Sequence, residues 1–366
     1  MEQLGIDDVY ERIGEFGWKQ KIYFLLIGVL GLYGPFHQLQ MVFVGHDPGF
    51  MCQAYFGNGT SLLNSCPDNR VDKCEKITYL GSLTSVVTTW NLVCDRAYLA
   101  KTAQSVYMLG TMAIGLPGGR LSDKFGRKRV VVICILMTII CGGMQAFVHD
   151  YRSYLLSKFF QGCFYAGTIP SFVLLLELLG PSRRGAVGTL SGLWFSIGII
   201  LLSGVAYFVQ DWKEFVLVIN VGGLVVPALL LLVPESPRWL LLHGREAEAK
   251  AVWSSIAEGN GKKFDPSWKI IGNAGVTDSD ESASSLLRNP ALRRITLIQI
   301  FSCAQITPWK ARNSVFDNDR FTNSVVYYGL ALAAGNFGKD LYLASALSGA
   351  VEIPGTLLLL VVFLCR

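Results

Sequence analysis

The chain has 366 residues, of which 51% are hydrophobic before its 38 glycines are counted, and only 16% are charged, against about 25% in soluble globular domains. A disordered, collagen-like or small disulfide-stapled chain is excluded, and a net charge of +5 is too small to imply nucleic acid. A positive mean hydropathy of +0.40 points instead to an all-α, polytopic membrane protein.

In chain order, residues 1–21 are polar. They carry Asp7, Asp8, Glu11 and Glu15, which a cleavable signal peptide lacks. Runs long enough to cross a bilayer, about 20 residues, follow at Ile22–Val44, Ala103–Gly119, Val130–Val148, Tyr154–Leu178, Ala186–Val209 and Phe215–Val233. A seventh is split into Ile295–Ser302 and Phe321–Gly335, and an eighth is Tyr342–Cys365. Only Lys158, Glu177 and Glu352 put charge inside these runs. A soluble amphipathic helix would carry a charged face. The division is therefore a six-helix bundle over 22–233, a connecting segment over 234–294 and a partial second bundle over 295–366.

Basic residues fix the expected orientation. Arg120, Lys124, Arg127, Lys128 and Arg129 join spans two and three, and Arg183 and Arg184 join four and five. The opposite connections hold only Arg152 and Lys213, which predicts both termini in the cytoplasm. The loop 45–102 then lies outside. It contains Cys52, Cys66, Cys74 and Cys94 and the glycosylation sequon at Asn58. Four cysteines in an oxidising compartment predict two disulfides, with three pairings open. The remaining cysteines read as small hydrophobes.

Within the connecting segment, Arg245–Ala257 is amphipathic and Glu258–Ser285 reads as a flexible linker. Between spans two and three, Gly119 and Gly126 favour a tight turn. Asp123 can accept from free amides at a helix start, and Arg127 can fork onto a carboxylate of the cytoplasmic face. Lys158, about a turn from the outer face, reads as a snorkelling lysine.

This Gly-Asp-Gly-Arg spacing resembles the signature loop of the major facilitator superfamily. So do Glu177 with Arg184-Gly185-Ala186, and Pro234-Glu235-Ser236-Pro237-Arg238-Trp239-Leu240. The resemblance implies a cytoplasmic gating latch made by Gly119, Asp123, Gly126, Arg127, Glu177, Arg184, Glu235 and Arg238. Trp90-Asn91-Leu92-Val93-Cys94-Asp95 followed by Ala103-Gln104-Ser105, and Glu11–Gly17, resemble the organic cation, anion and zwitterion (carnitine-type) transporters. So do Thr322–Leu330 and Ser348–Pro354.

That resemblance implies twelve spans, of which eight are read here, and a substrate site between two bundles near the midplane. It turns Phe36, His37 and Gln38 toward the cavity as a polar break after Gly34-Pro35. It also supplies Tyr327 and Tyr328 as aromatic faces for a cation. An ionisable residue at the midplane is a functional candidate, so Glu352 is expected to be a cation partner or proton site. Tyr165 and Trp194 read as packing. Residues 303–320 carry five charges into span seven and read as an insertion, from a splice variant or gene-model error.

The expected function is alternating-access transport of small organic ions, either organic cations or carnitine-like zwitterions, in the plasma membrane. No cofactor, metal, enzymatic chemistry or nucleic acid is expected, and the coupling ion is open. The alternatives are a truncated non-transporting membrane protein and a sugar-porter-like carrier.

Overall fold

The structure is a computed structural model that describes residues 3–56, 59–63, 66–81, 83–271 and 340–364. Strand β1 (Gln3–Gly5) leads into α1 (Ile6–Ile13), which buries Val9, Tyr10 and Ile13. These apolar positions, three and four residues apart, form one helix face. The first span is α2 (Trp18–Gln38) followed by the single turn α3 (Met41–Val44). Phe36, His37 and Gln38 remain helical, so the expected break comes later, at Leu39 and Gln40. Proline disturbs the turn preceding it, whereas beyond it Leu39 N still donates to Pro35 O at 2.9 Å.

The cysteine-bearing loop after the first span contains a three-stranded antiparallel sheet. Strands β2 (Phe50–Phe56), β3 (Gly59–Leu63) and β4 (Lys76–Tyr79) lie in the order β3-β2-β4. Disulfides Cys52–Cys74 and Cys66–Cys94 select one of the three open pairings. Helix α4 (Val86–Trp90) ends this cap and fastens it to the bundle. Thr84 donates to Asp211 at 2.9 Å, the Trp212 indole donates to Thr89 at 2.8 Å, and Trp90 packs among Tyr151, Tyr154 and Trp212.

Helices α5 (Ala97–Phe125), α6 (Arg127–Met144), α7 (Tyr151–Ala166), α8 (Pro170–Glu177), α9 (Arg184–Leu190), α10 (Gly192–Phe208), α11 (Trp212–Gly222) and α12 (Val225–Leu230) complete the first bundle. The breaks between α7 and α8 and between α11 and α12 each precede a proline, Pro170 or Pro227. Each ring lacks the N–H for a carbonyl one turn back and crowds that carbonyl. Helices α5 and α7 cross at glycines: a Cβ on Gly162 would strike the Tyr107 carbonyl, and one on Gly110 the Phe159 carbonyl. Small residues at such crossings let membrane helices approach backbone to backbone.

After the first bundle come α13 (Pro237–Leu242), α14 (Glu246–Gly259) and β5 (Lys269–Ile271), and α15 (Leu341–Leu364) then packs on α10. Strand β5 pairs in parallel with β1, and Trp253 of α14 meets Tyr10 edge-on at 6.4 Å. The amino-terminal segment and the connecting segment thus form one unit. The expected linker is structured as far as Ile271, because its Lys269–Ile271 edge finds a backbone partner in β1.

Five segments among the described residues are long and apolar enough to cross a bilayer: Trp18–Val44, Tyr151–Glu177, Pro181–Phe208, Trp212–Leu230 and Leu341–Val361. Outward faces carry Met112, Phe208 and Val351, at 77%, 84% and 73% exposed. Water would penalise that surface and lipid does not. The split seventh span, the 303–320 insertion, Asn58, Tyr327 and Tyr328 lie outside the described residues.

Candidate functional site

Polar side chains converge inside the bundle on Gln161 of α7. Its oxygen accepts from Gln145 at 2.8 Å and Gln40 at 3.2 Å, and its amide nitrogen lies 3.0 Å from His37 Nδ1. An amide nitrogen only donates, so Nδ1 is the acceptor and the neutral ring carries its proton on Nε2. Phe36 stacks on Tyr33, which meets His37 edge-on at 4.6 Å. Gln38 donates to the Tyr165 hydroxyl at 2.7 Å, so Tyr165 is a polar partner as well as packing. Four buried atoms here lack a protein partner: His37 Nε2, Gln40 Oε1, Gln145 Oε1 and Asn220 Oδ1. They are unused hydrogen-bonding capacity in an apolar surrounding.

Glu352 stands apart from this hub, on α15. Its carboxylate accepts from Ser196 of α10 at 2.8 Å. Gly349, one turn earlier, brings the two backbones so close that a Cβ there would press on the Ser196 carbonyl. Among the described residues no cation pairs with Glu352. The converse holds for Lys158, which is 2% exposed and lies 5.6 Å over the Tyr154 ring with no carboxylate partner among the described residues. It does not snorkel: its side chain is buried inside the bundle, over the Tyr154 ring of its own helix.

The residues expected to form a latch gather at one end of the bundle with a partly different pairing. Arg127 binds Asp123 and reaches Glu177, with Nε and Oε2 3.4 Å apart. Gly119 lies inside α5 and makes no turn; Gly126, at φ +102° to +103° like Gly14, alone among the two reverses the chain. Asp123 therefore sits in the last turn of α5, and the carboxylate at the start of α6 belongs to Glu235. It accepts from the Lys128 amide at 3.0 Å and would collide with a Cβ on Gly126. An acid is favoured there by the amide dipoles.

Arg184 and Arg238 do not bind Glu177 or Glu235. Both donate to one oxygen of Asp7, at 2.8 and 2.9 Å. Arg184 Nε adds bonds to the carbonyls of Leu176 and Leu179. Tyr10, fully buried beside them, donates to the Glu177 carbonyl at 2.8 Å, and burial pushes its phenol up, which keeps it a neutral donor. Among the described residues, no three His, Cys, Asp or Glu side chains gather as a metal site.

The sequence matches a family profile described as "Sugar (and other) transporter" over residues 41–315. It is 33% identical to the Organic cation transporter protein of Drosophila melanogaster, across 98% of this chain and 70% of that relative. The chain belongs to this family of transporters. It is also 32% identical to Organic cation/carnitine transporter 4 of Arabidopsis thaliana, across 96% of this chain and 65% of that relative. The chain thus spans about two thirds of the length of these curated members. A proton:xylose symporter of the major facilitator superfamily, solved with 6-bromo-6-deoxy-D-glucose, superposes with a TM-score of 0.63 at 17% identity. That likeness covers 93% of this chain and 68% of the symporter, and it establishes the transporter family's fold here. Membership makes the chain a multi-pass membrane protein whose family moves small molecules.

Gln161, Gln145, Ser196 and Asp7 bond to one another or to the candidate residues, and the sequence alone does not single them out. A neutral glutamine in the middle of an apolar run is a signal for Gln161. Asp7, beside the apolar stripe of α1, carries a weaker one.

Proposed function

We propose that the chain carries small organic cations or carnitine-like zwitterions across the plasma membrane by alternating access, with both termini cytoplasmic. The observation that supports it most is the Glu352 carboxylate, set in an apolar helix with Ser196 as its hydrogen-bond donor and without a counter-cation among the described residues. Placing such a charge in a membrane costs at least about 2.5–3.5 kcal/mol, and a cationic substrate offsets that cost. The basic connections between spans support the orientation.

In this reading Phe36, His37 and Gln38 line the path from the first bundle, and Tyr327 and Tyr328 offer it aromatic faces. Asp123, Arg127, Glu177, Arg184, Glu235 and Arg238, with the glycines Gly119 and Gly126, hold the cytoplasmic side closed. Carbohydrate on Asn58 belongs to the outer cap. The work is done by binding and conformational change, with no cofactor, enzymatic step or nucleic acid.

Uptake of a fluorescent organic cation tests this in cells whose surface delivery is measured by biotinylation. Uptake above vector controls is expected, with at least a tenfold loss in Glu352→Gln at equal surface amounts. A surface-delivered chain that takes up neither cation nor carnitine refutes it.

A further inference from the structure

We propose that Asp7 is a positioning residue of the cytoplasmic gate, and that residues 3–17 act as a strap that holds the gate's two arginines together. The proposal rests on reading Arg184 and Arg238 as gate residues. They come from separate parts of the chain, one at the start of α9 and the other in α13, and one oxygen of Asp7 accepts from both, at 2.8 and 2.9 Å. Two guanidinium groups drawn to one carboxylate oxygen repel each other once that carboxylate is neutralised. The shared acid is therefore what makes the contact attractive.

The rest of the strap is built to present Asp7 there. Asp8 accepts from Gly5 N at 2.9 Å and so starts α1 just after β1. Tyr10 and Ile13 are fully buried, and Tyr10 reaches the Glu177 carbonyl between the two gate motifs. Asn260, at the end of α14, donates to the Ile13 carbonyl at 3.1 Å and to Gln20 at 2.9 Å, and it accepts from Lys19 N at 3.2 Å. Glu15 closes over the α8–α9 junction: its carbonyl accepts from Gly180 N at 3.1 Å and its carboxylate from Ser182. Leu178 and Leu179, beneath it, are wholly inaccessible. Freeing the strap uncovers this junction and separates α9 from α13, the movement an opening gate requires.

The test uses the whole chain, purified in detergent, with Leu179→Cys as reporter and every cysteine outside the two disulfides replaced by alanine. Maleimide labelling of position 179 is expected to accelerate at least fivefold in Asp7→Asn, to return toward the parent rate in Asp7→Glu, and to stay at the parent rate in Glu11→Gln, which removes an exposed acid of the same helix. Raising salt should speed labelling of the parent, whose attraction it screens, and should not speed labelling of Asp7→Asn, where it screens only the repulsion between the two arginines. Trypsin cleavage after Arg12, read by mass spectrometry, should follow the same order. Equal labelling in Asp7→Asn and parent overturns the proposal, and so does equal acceleration by Glu11→Gln. Monodisperse elution and intact disulfides guard against misfolding. Because the readout involves no transport, a chain that fails to take up cations while Asp7→Asn still exposes position 179 refutes the transport reading and keeps the strap.

Discussion

The side-chain amide of Gln145, just past the end of α6, donates at 2.8 Å to the oxygen of Gln161 on α7, and that oxygen also takes the Gln40 amide. One neutral residue thus ties three polar groups into an apolar bundle. Gln161→Leu leaves the Gln145 amide without this acceptor, the Gln40 amide with only its longer bond to the His37 carbonyl at 3.3 Å, and His37 Nδ1 without its donor. Each such loss costs about 1–3 kcal/mol, so a fall of about 2 kcal/mol or more in stability is expected, read as a lower unfolding midpoint in detergent. An unchanged midpoint would show that the hub contributes little to stability.

Gly162 is predicted to be the least tolerant glycine of the α5–α7 crossing. Gly162→Val forces the helices apart at the Tyr107 carbonyl, and overpacking of this kind costs about 1–3 kcal/mol. Gly115→Ala is the control, since nothing stands within 4 Å of a Cβ there. Surface expression of both variants decides it, with only the first expected to be depleted.

Removing the Cys52–Cys74 bridge by replacing both residues with serine opens a loop with a sequence separation of 22. Loop entropy of that length corresponds to about 3 kcal/mol. The outer cap should become sensitive to external protease while the helices keep their circular dichroism. Thiol titration under denaturing conditions should find no new free thiol, because both partners are gone. A new thiol would show that the second bridge, Cys66–Cys94, had also been disturbed.

Asp150 supplies a pH dependence with a definite sign. Bonds from the Ser153 amide and hydroxyl, at 2.9 and 2.8 Å, hold its carboxyl below the usual carboxylate value. The folded form then prefers the ionised acid more than the unfolded form does. Its contribution is complete above the unfolded value and fades as pH falls through the lower folded one. Asp150→Asn should therefore flatten the acid limb of the unfolding midpoint plotted against pH. An acid limb identical to that of the parent would rule this cap out as a contributor.

The sequence exposes the features that are local. Bilayer-length runs and the amphipathic stretch of α14 need no knowledge of distant partners, whereas the α1 stripe and the breaks before Pro170 and Pro227 emerge only in the structure. The latch motifs are legible as a set, but their pairing is not. Which acid caps α6 depends on where the chain reverses, and Gly126 places that reversal so that Glu235 takes the role expected of Asp123. Asp7 is hidden for a different reason: its partners lie far along the chain, and the apolar period of α1 marks a buried face without saying what that face meets. Lys158 misleads because its position near the end of a span says nothing about the side on which neighbouring helices stand. The disulfide pairing needed the register of β2 with β4.

The parallel pairing of β1 with β5 has a consequence for biosynthesis. Strand β1 leaves the ribosome before its partner, which is made only after all six helices of the first bundle. The amino-terminal strand must therefore wait, unpaired and close to the membrane, until the bundle is in place. Its closure is a late event that reports the bundle's completion, and a bulky domain fused ahead of Gln3 would delay the final assembly step more than the insertion of any helix.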